Sequence, residues 1–177
     1  MSKIRMATTW LDGCSGCHMS LLDMDEQLID IAGKVDIVYG PLIDAKAIPE
    51  AIDVVLVEGA VSSDADAEKL LLLRARSTML VSLGDCAVSA NVPGMRNRFP
   101  LVDVFRRVYE DNANRNPQIP REDLPRLLDK ARPVHEFVAV DVFLPGCPPP
   151  ADAIVFMLQE VLAGRIPDLS AKSRFGA

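Results

Sequence analysis

With 177 residues, 49% of them hydrophobic, the chain is long enough to bury one substantial core. Its net charge of −6 disfavours nucleic acid or an anionic membrane as a general partner. No apolar run approaches the ~20 residues of a membrane-spanning helix.

Residues 3–9 (KIRMATT) are predicted as a first strand. From His18 to Lys34 the apolar positions Met19, Leu21, Leu22, Met24, Leu28, Ile29, Ile31 and Ala32 recur at helical spacing, with Asp23, Glu26 and Asp30 on the other face and Gly33 ending the run. Strands follow at 35–39 (VDIVY) and 53–58 (DVVLVE), the second an apolar run of the kind buried in parallel sheets. Ser62, Ser63 or Asp64 can cap a helix over about 65–76, and 78–83 (TMLVSL) and 137–144 (FVAVDVFL) are read as the next strands. Pro148 to Pro150 then open a last helix carrying Ile154, Val155, Leu158, Val161 and Leu162, stopped at Gly164. Strands alternating with helices predict an α/β fold with a mostly parallel sheet, in which ligands bind beyond the carboxyl ends of the strands.

The stretch 91–133 interrupts the alternation. It is rich in Arg, Asn and Pro, with short helical pieces expected near 101–109 and 121–130. Charge is unevenly placed too. Residues 1–72 hold thirteen acids against five bases, and 93–133 hold nine bases, mostly arginines, against six acids. Either a surface excursion or a partner-docking surface fits such an insertion.

Each of the four cysteines follows a predicted strand, in a Gly-rich turn: Cys14 and Cys17 in GCSGCH, Cys86 in GDCAVS, Cys147 in PGCPPP. The N-terminus, MSKIRMATTWLDG, lacks a signal-peptide apolar region and a twin-arginine pair, so a cytoplasmic protein is expected. Thiols there stay reduced, which favours a metal or redox site over disulfides. Four thiolates fill the four positions of a [4Fe–4S] cube, and helix N-termini after Cys17 and Cys147 would offset its negative charge. A Cys₄ zinc site more often has two Cys-x₂-Cys knuckles, and a redox dithiol would explain only Cys14 and Cys17. Near the first pair, His18 and Asp12 read as helix-end caps and Trp10 as a core residue. Glu58 ends its apolar strand pointing to the same sheet edge, either as a proton relay or as a carboxylate satisfied by backbone N–H groups.

The ordered set GCSGCH, VEGAV, GDCAVSA and PGCPPP resembles the small, electron-transfer subunit of [NiFe]-hydrogenases, above all those of cytoplasmic, bidirectional NAD-reducing enzymes, over Lys3 to Gly164. The resemblance implies that Cys14, Cys17, Cys86 and Cys147 bind the cluster nearest a nickel–iron centre held by a separate large subunit. It further implies a diaphorase pair carrying FMN and further iron–sulfur clusters, where NAD⁺ is reduced. Larger members continue into a second cysteine-rich domain and begin with a twin-arginine leader; neither is in this sequence, which fits the short branch. Many members have Glu before the first cysteine, where this chain has Gly13, so a proton route through that Glu does not carry over. The related cluster subunit of respiratory complex I has adjacent cysteines in its first motif, unlike Cys14-Ser15-Gly16-Cys17.

The expectation is therefore one flavodoxin-like, three-layer α/β domain over 1–177, with a single cluster at the carboxyl ends of its strands. A hydrogenase with another acceptor, a zinc-stabilised interaction domain and a flavin-binding domain are the alternatives. The first strand–helix loop lacks the Ser/Thr-rich character of a flavodoxin phosphate loop.

Overall fold

The computed structural model describes residues 3–175. Its strands are β1 (Ile4–Trp10), β2 (Val35–Tyr39), β3 (Ile52–Glu58), β4 (Val61–Ser63), β5 (Ser77–Leu83), β6 (Leu127–Arg132) and β7 (Val142–Leu144). Its helices are α1 (Gly16–Leu22), α2 (Gln27–Ala32), α3 (Asp64–Arg76), α4 (Asp85–Ser89), α5 (Leu101–Arg106) and α6 (Ala151–Leu162). Five strands form one parallel sheet in the order β2-β1-β3-β5-β7, the doubly wound order of flavodoxin-like folds, as expected.

The centre of the sheet is β3, whose Val54 to Val57 are at most 1% exposed. Both of its faces are covered, which accounts for an unbroken apolar run rather than an alternating one. On one face Val54, Leu56, Val81 and Leu83 pack with α1, α2 and the Ile154, Met157 and Leu158 side of α6. On the other, Val55, Val57 and Leu80 pack against Leu70 and Leu73 of α3, Ala87 of α4 and Val134. Helix α3 starts where capping chemistry predicts. The Ser63 hydroxyl accepts from Asp66 N–H, and the Asp66 carboxylate accepts from Ser63 N–H.

Three predicted elements change. The helix expected over 18–34 is two helices, because the chain turns at Asp23–Glu26, with Asp25 left-handed (φ 50°), to drop Met24 into the core at 2% exposure. The strand expected over 137–144 is only Val142–Leu144. Phe137, Val138 and Val140 instead pack on the α3 side of the sheet, and the Asp141 carboxylate takes the Leu80 N–H at 2.7 Å and Arg74 at 2.6 Å. The helical piece expected over 121–130 does not form: 121–126 is irregular and the rest opens β6, antiparallel to β4; Pro120 and Pro125 work against a helix there.

The 91–133 excursion is pinned rather than loose. It runs through a 3₁₀ turn (Pro93–Arg98) and α5, which ends in a π turn (Arg107–Asp111). Asn97 brackets Ala131, its side chain bonding both N–H and C=O at 2.8 Å. Arg96 donates to the carbonyls of Leu128 (2.9 Å) and Asp129 (3.1 Å). Among the described residues no helix is long and apolar enough to cross a membrane.

Candidate functional site

The site is laid out by strand register. Trp10 pairs with Glu58, Glu58 with Leu83 and Leu83 with Leu144, so the last residues of β1, β3, β5 and β7 form one row across the sheet. Cys86 and Cys147 each lie three residues beyond it, and Cys14 and Cys17 lie in the loop and first turn after β1. Parallel strands thus bring four thiols that are up to 133 residues apart to one edge, as the sequence predicts. Cys17 is buried, Cys86 half-buried, and Cys14 and Cys147 are exposed.

The thiols sense one another. Burial, with lesser contributions from Glu58, Cys86, Cys14 and Cys147, pushes the Cys17 thiol well above its ordinary range. Cys86 is also raised, first by burial and then by Cys147, Cys14 and Glu58, while the backbone N–H of Val92 works the other way. A proton on these sulfurs, or a metal in its place, is therefore strongly preferred to a bare thiolate. Among the described residues, no three Cys, His, Asp or Glu side chains close around one point as a single metal ion requires.

The loops are held by backbone and by two buried carboxylates. After β1, Leu11 N–H donates to Glu58 C=O (2.8 Å), and Asp12 and Ala60 exchange backbone bonds at 3.0 and 2.8 Å. The Glu58 side chain, 2% exposed, accepts from the N–H groups of His18 (3.0 Å) and Cys17 (3.4 Å) and bonds His18 Nδ1. After β5, Asp85, 4% exposed, accepts from Gly146 N–H at 2.7 Å, and its own N–H donates to Gly146 C=O at 2.8 Å. The turn bearing Cys86 is thereby tied to the turn bearing Cys147. Gly84 completes the arrangement: its φ of 82° is left-handed, and a Cβ there would overlap Cys17 Sγ.

Several neighbours differ from expectation. His18 is not a helix-end cap but a buried side chain, 2% exposed, bonded to Glu58 and edge-on to Trp10. Asp12 accepts from the Ser62 hydroxyl at 2.5 Å rather than capping a helix. Trp10 is 39% exposed, because its position at the strand end leaves part of the indole outside the core. Helix α1 begins before Cys17, not after it, and two of its first-turn amides go to Glu58. Sequence reasoning missed Asp85; an acid directly before Cys86, after an apolar strand, is the signal that could have found it.

A family profile described as NADH ubiquinone oxidoreductase, 20 Kd subunit, matches residues 14–161. The delta subunit of the NAD-reducing hydrogenase HoxS of Cupriavidus necator is 43% identical over 172 residues, covering 94% of this chain and 82% of that protein. One of the subunits of the F420-non-reducing hydrogenase vhu of Methanocaldococcus jannaschii is 36% identical, covering 96% of this chain and 59% of its own length. This chain therefore spans somewhat over half of that archaeal relative. A crystal structure of an NAD⁺-reducing [NiFe]-hydrogenase in the H₂-reduced state contains a chain that superposes with a TM-score of 0.94 at 36% identity, covering 98% of this chain and 99% of that one.

Proposed function

This chain belongs to the family of the NADH ubiquinone oxidoreductase 20 kDa subunit, and on that premise we propose that it is the electron-transfer small subunit of a cytoplasmic NAD-reducing [NiFe]-hydrogenase. The observation that carries the reading is the convergence of four thiols on one sheet edge in a chain that superposes end to end on a subunit of such an enzyme. Cys14, Cys17, Cys86 and Cys147 would hold one [4Fe–4S] cluster. In a cube each thiolate binds a different iron, so the ligands stand farther apart than around one zinc ion.

When bound, the cluster supplies one-electron transfer between a nickel–iron centre on a large subunit and a diaphorase module carrying FMN and further clusters. This chain's residues hold the sulfurs, with Glu58 and Asp85 fixing the loops. They leave one side of the site open, where Cys14 and Cys147 are exposed and a large subunit would close over them. The 91–133 segment adds a flank suited to docking: Val92, Met95, Phe99 and Val102 are each more than half exposed, beside a groove of about 900 Å³ lined by Val102, Phe105, Tyr109 and Leu124.

The archaeal relatives support a second reading, in which the same relay serves a different acceptor. The test is anaerobic purification with co-expressed partners, followed by H₂-driven reduction of NAD⁺ and of a dye. Reduction of NAD⁺, with a large subunit and a flavoprotein co-purifying, is the expected result. Dye reduction without NAD⁺ reduction selects the second reading. Zinc without iron or labile sulfide would overturn both in favour of a zinc-stabilised domain.

A further inference from the structure

Helix α1 has no cap of its own among the described residues. Ser15, at its N-cap, is left-handed (φ 61°) and makes no side-chain cap bond; its hydroxyl donates instead to the Cys14 carbonyl at 2.6 Å. The amides of Cys17 and His18 in the first turn would then be left without acceptors. Glu58, forty residues on, supplies both acceptors from the end of β3 and also bonds the His18 ring. Removing a carboxylate from water is costly unless donors compensate, and here three donors converge on it.

Resting on the cluster reading above, we propose that Glu58 is a positioning residue for the cluster, fixing the Cys17 ligand against β3 and lowering the cluster's reduction potential through its buried charge. The geometric part follows from the bonds: Cys17 N–H is tied to a residue in register with Leu83, the strand end from which Cys86 departs. The electrostatic part follows from proximity, because the Glu58 carboxylate is 2% exposed and lies 3.4 Å from the Cys17 amide, beside that ligand. Each electron added to a cluster makes it more negative, so a fixed carboxylate beside it opposes reduction. The positive end of α1 faces this carboxylate, to which its first-turn amides donate, and offsets part of its charge.

The test uses the complex purified anaerobically with its partners, in the wild type and as Glu58→Gln and Glu58→Ala. The EPR signal absent from Cys17→Ala identifies the cluster in question. Gln keeps the shape and an oxygen for the His18 donors while removing the charge. In Glu58→Gln the iron content is expected to stay at the wild-type level. The one-electron reduction equilibrium should shift about ten-fold toward the reduced form, ~59 mV upward in an EPR-monitored redox titration. In Glu58→Ala iron should pass to a chelator several-fold faster. An unchanged potential in Glu58→Gln overturns the electrostatic role, which a merely structural residue would not move. An unchanged release rate in Glu58→Ala overturns the positioning role. Wild-type protein without iron and labile sulfide would instead refute the cluster reading on which this rests.

Discussion

The cysteine edge and the 91–133 excursion solve opposite problems. At the edge, loops from four strands are held by side chains almost fully removed from water, Glu58 and Asp85, each bonding the backbone of a distant turn. In the excursion, none of the described residues of Pro93–Arg98 or α5 is buried, and the pins are Arg96 and Asn97, fastened to the backbone of β6. Bonds shielded from solvent fix a position more tightly than bonds that water can replace. The first region keeps its thiols on a buried frame, and the second holds apolar side chains such as Met95 and Phe99 exposed on a pinned backbone.

The largest effect separating the two regions is expected from Cys86→Ala, which should abolish cluster iron and H₂-dependent electron transfer in the purified complex. Full retention of both would remove Cys86 from the ligand set. Next comes Asp85→Ala. It leaves the buried Gly146 N–H without its acceptor, a cost of about 1–3 kcal/mol. For a chain of this size that lowers Tm by roughly 2–12 °C in a thermal melt, and iron occupancy should fall with it.

Asn97→Ala should cost about 1 kcal/mol, since its two bonds to Ala131 are only partly buried. Iron content should be unchanged and hydrogen exchange at the Ala131 amide faster. An equal loss of iron in Asn97→Ala and Asp85→Ala would erase the distinction drawn between the regions. The smallest change in stability is expected from Phe99→Ser, at 62% exposure, within about 0.5 kcal/mol. Its effect should appear instead as weaker co-purification of partner subunits.

The same contrast explains what could be read from residues alone. The parallel sheet, the common edge of Cys14, Cys17, Cys86 and Cys147, and the position of Glu58 at that edge follow from local patterns, namely apolar runs ending in Gly-rich turns. The Ser63 cap is equally local, since both partners lie within four residues. The features that were missed depend on residues distant in sequence. Helix 18–34 breaks because the core draws Met24 inward, and 127–132 becomes a strand because β4, some sixty residues earlier, offers it an edge. His18 looks like a surface cap because nothing near it in sequence reveals a carboxylate forty residues away.

The strand register also has a consequence in time. The row of strand ends from Trp10 to Leu144 is complete only when β7 has paired with β5, and Cys147 lies beyond even that. A nascent chain emerging at about 5–20 residues per second exposes Cys14 and Cys17 for several seconds before Cys147 has been synthesised. Any metal centre that needs all four sulfurs must therefore be installed after translation is nearly finished.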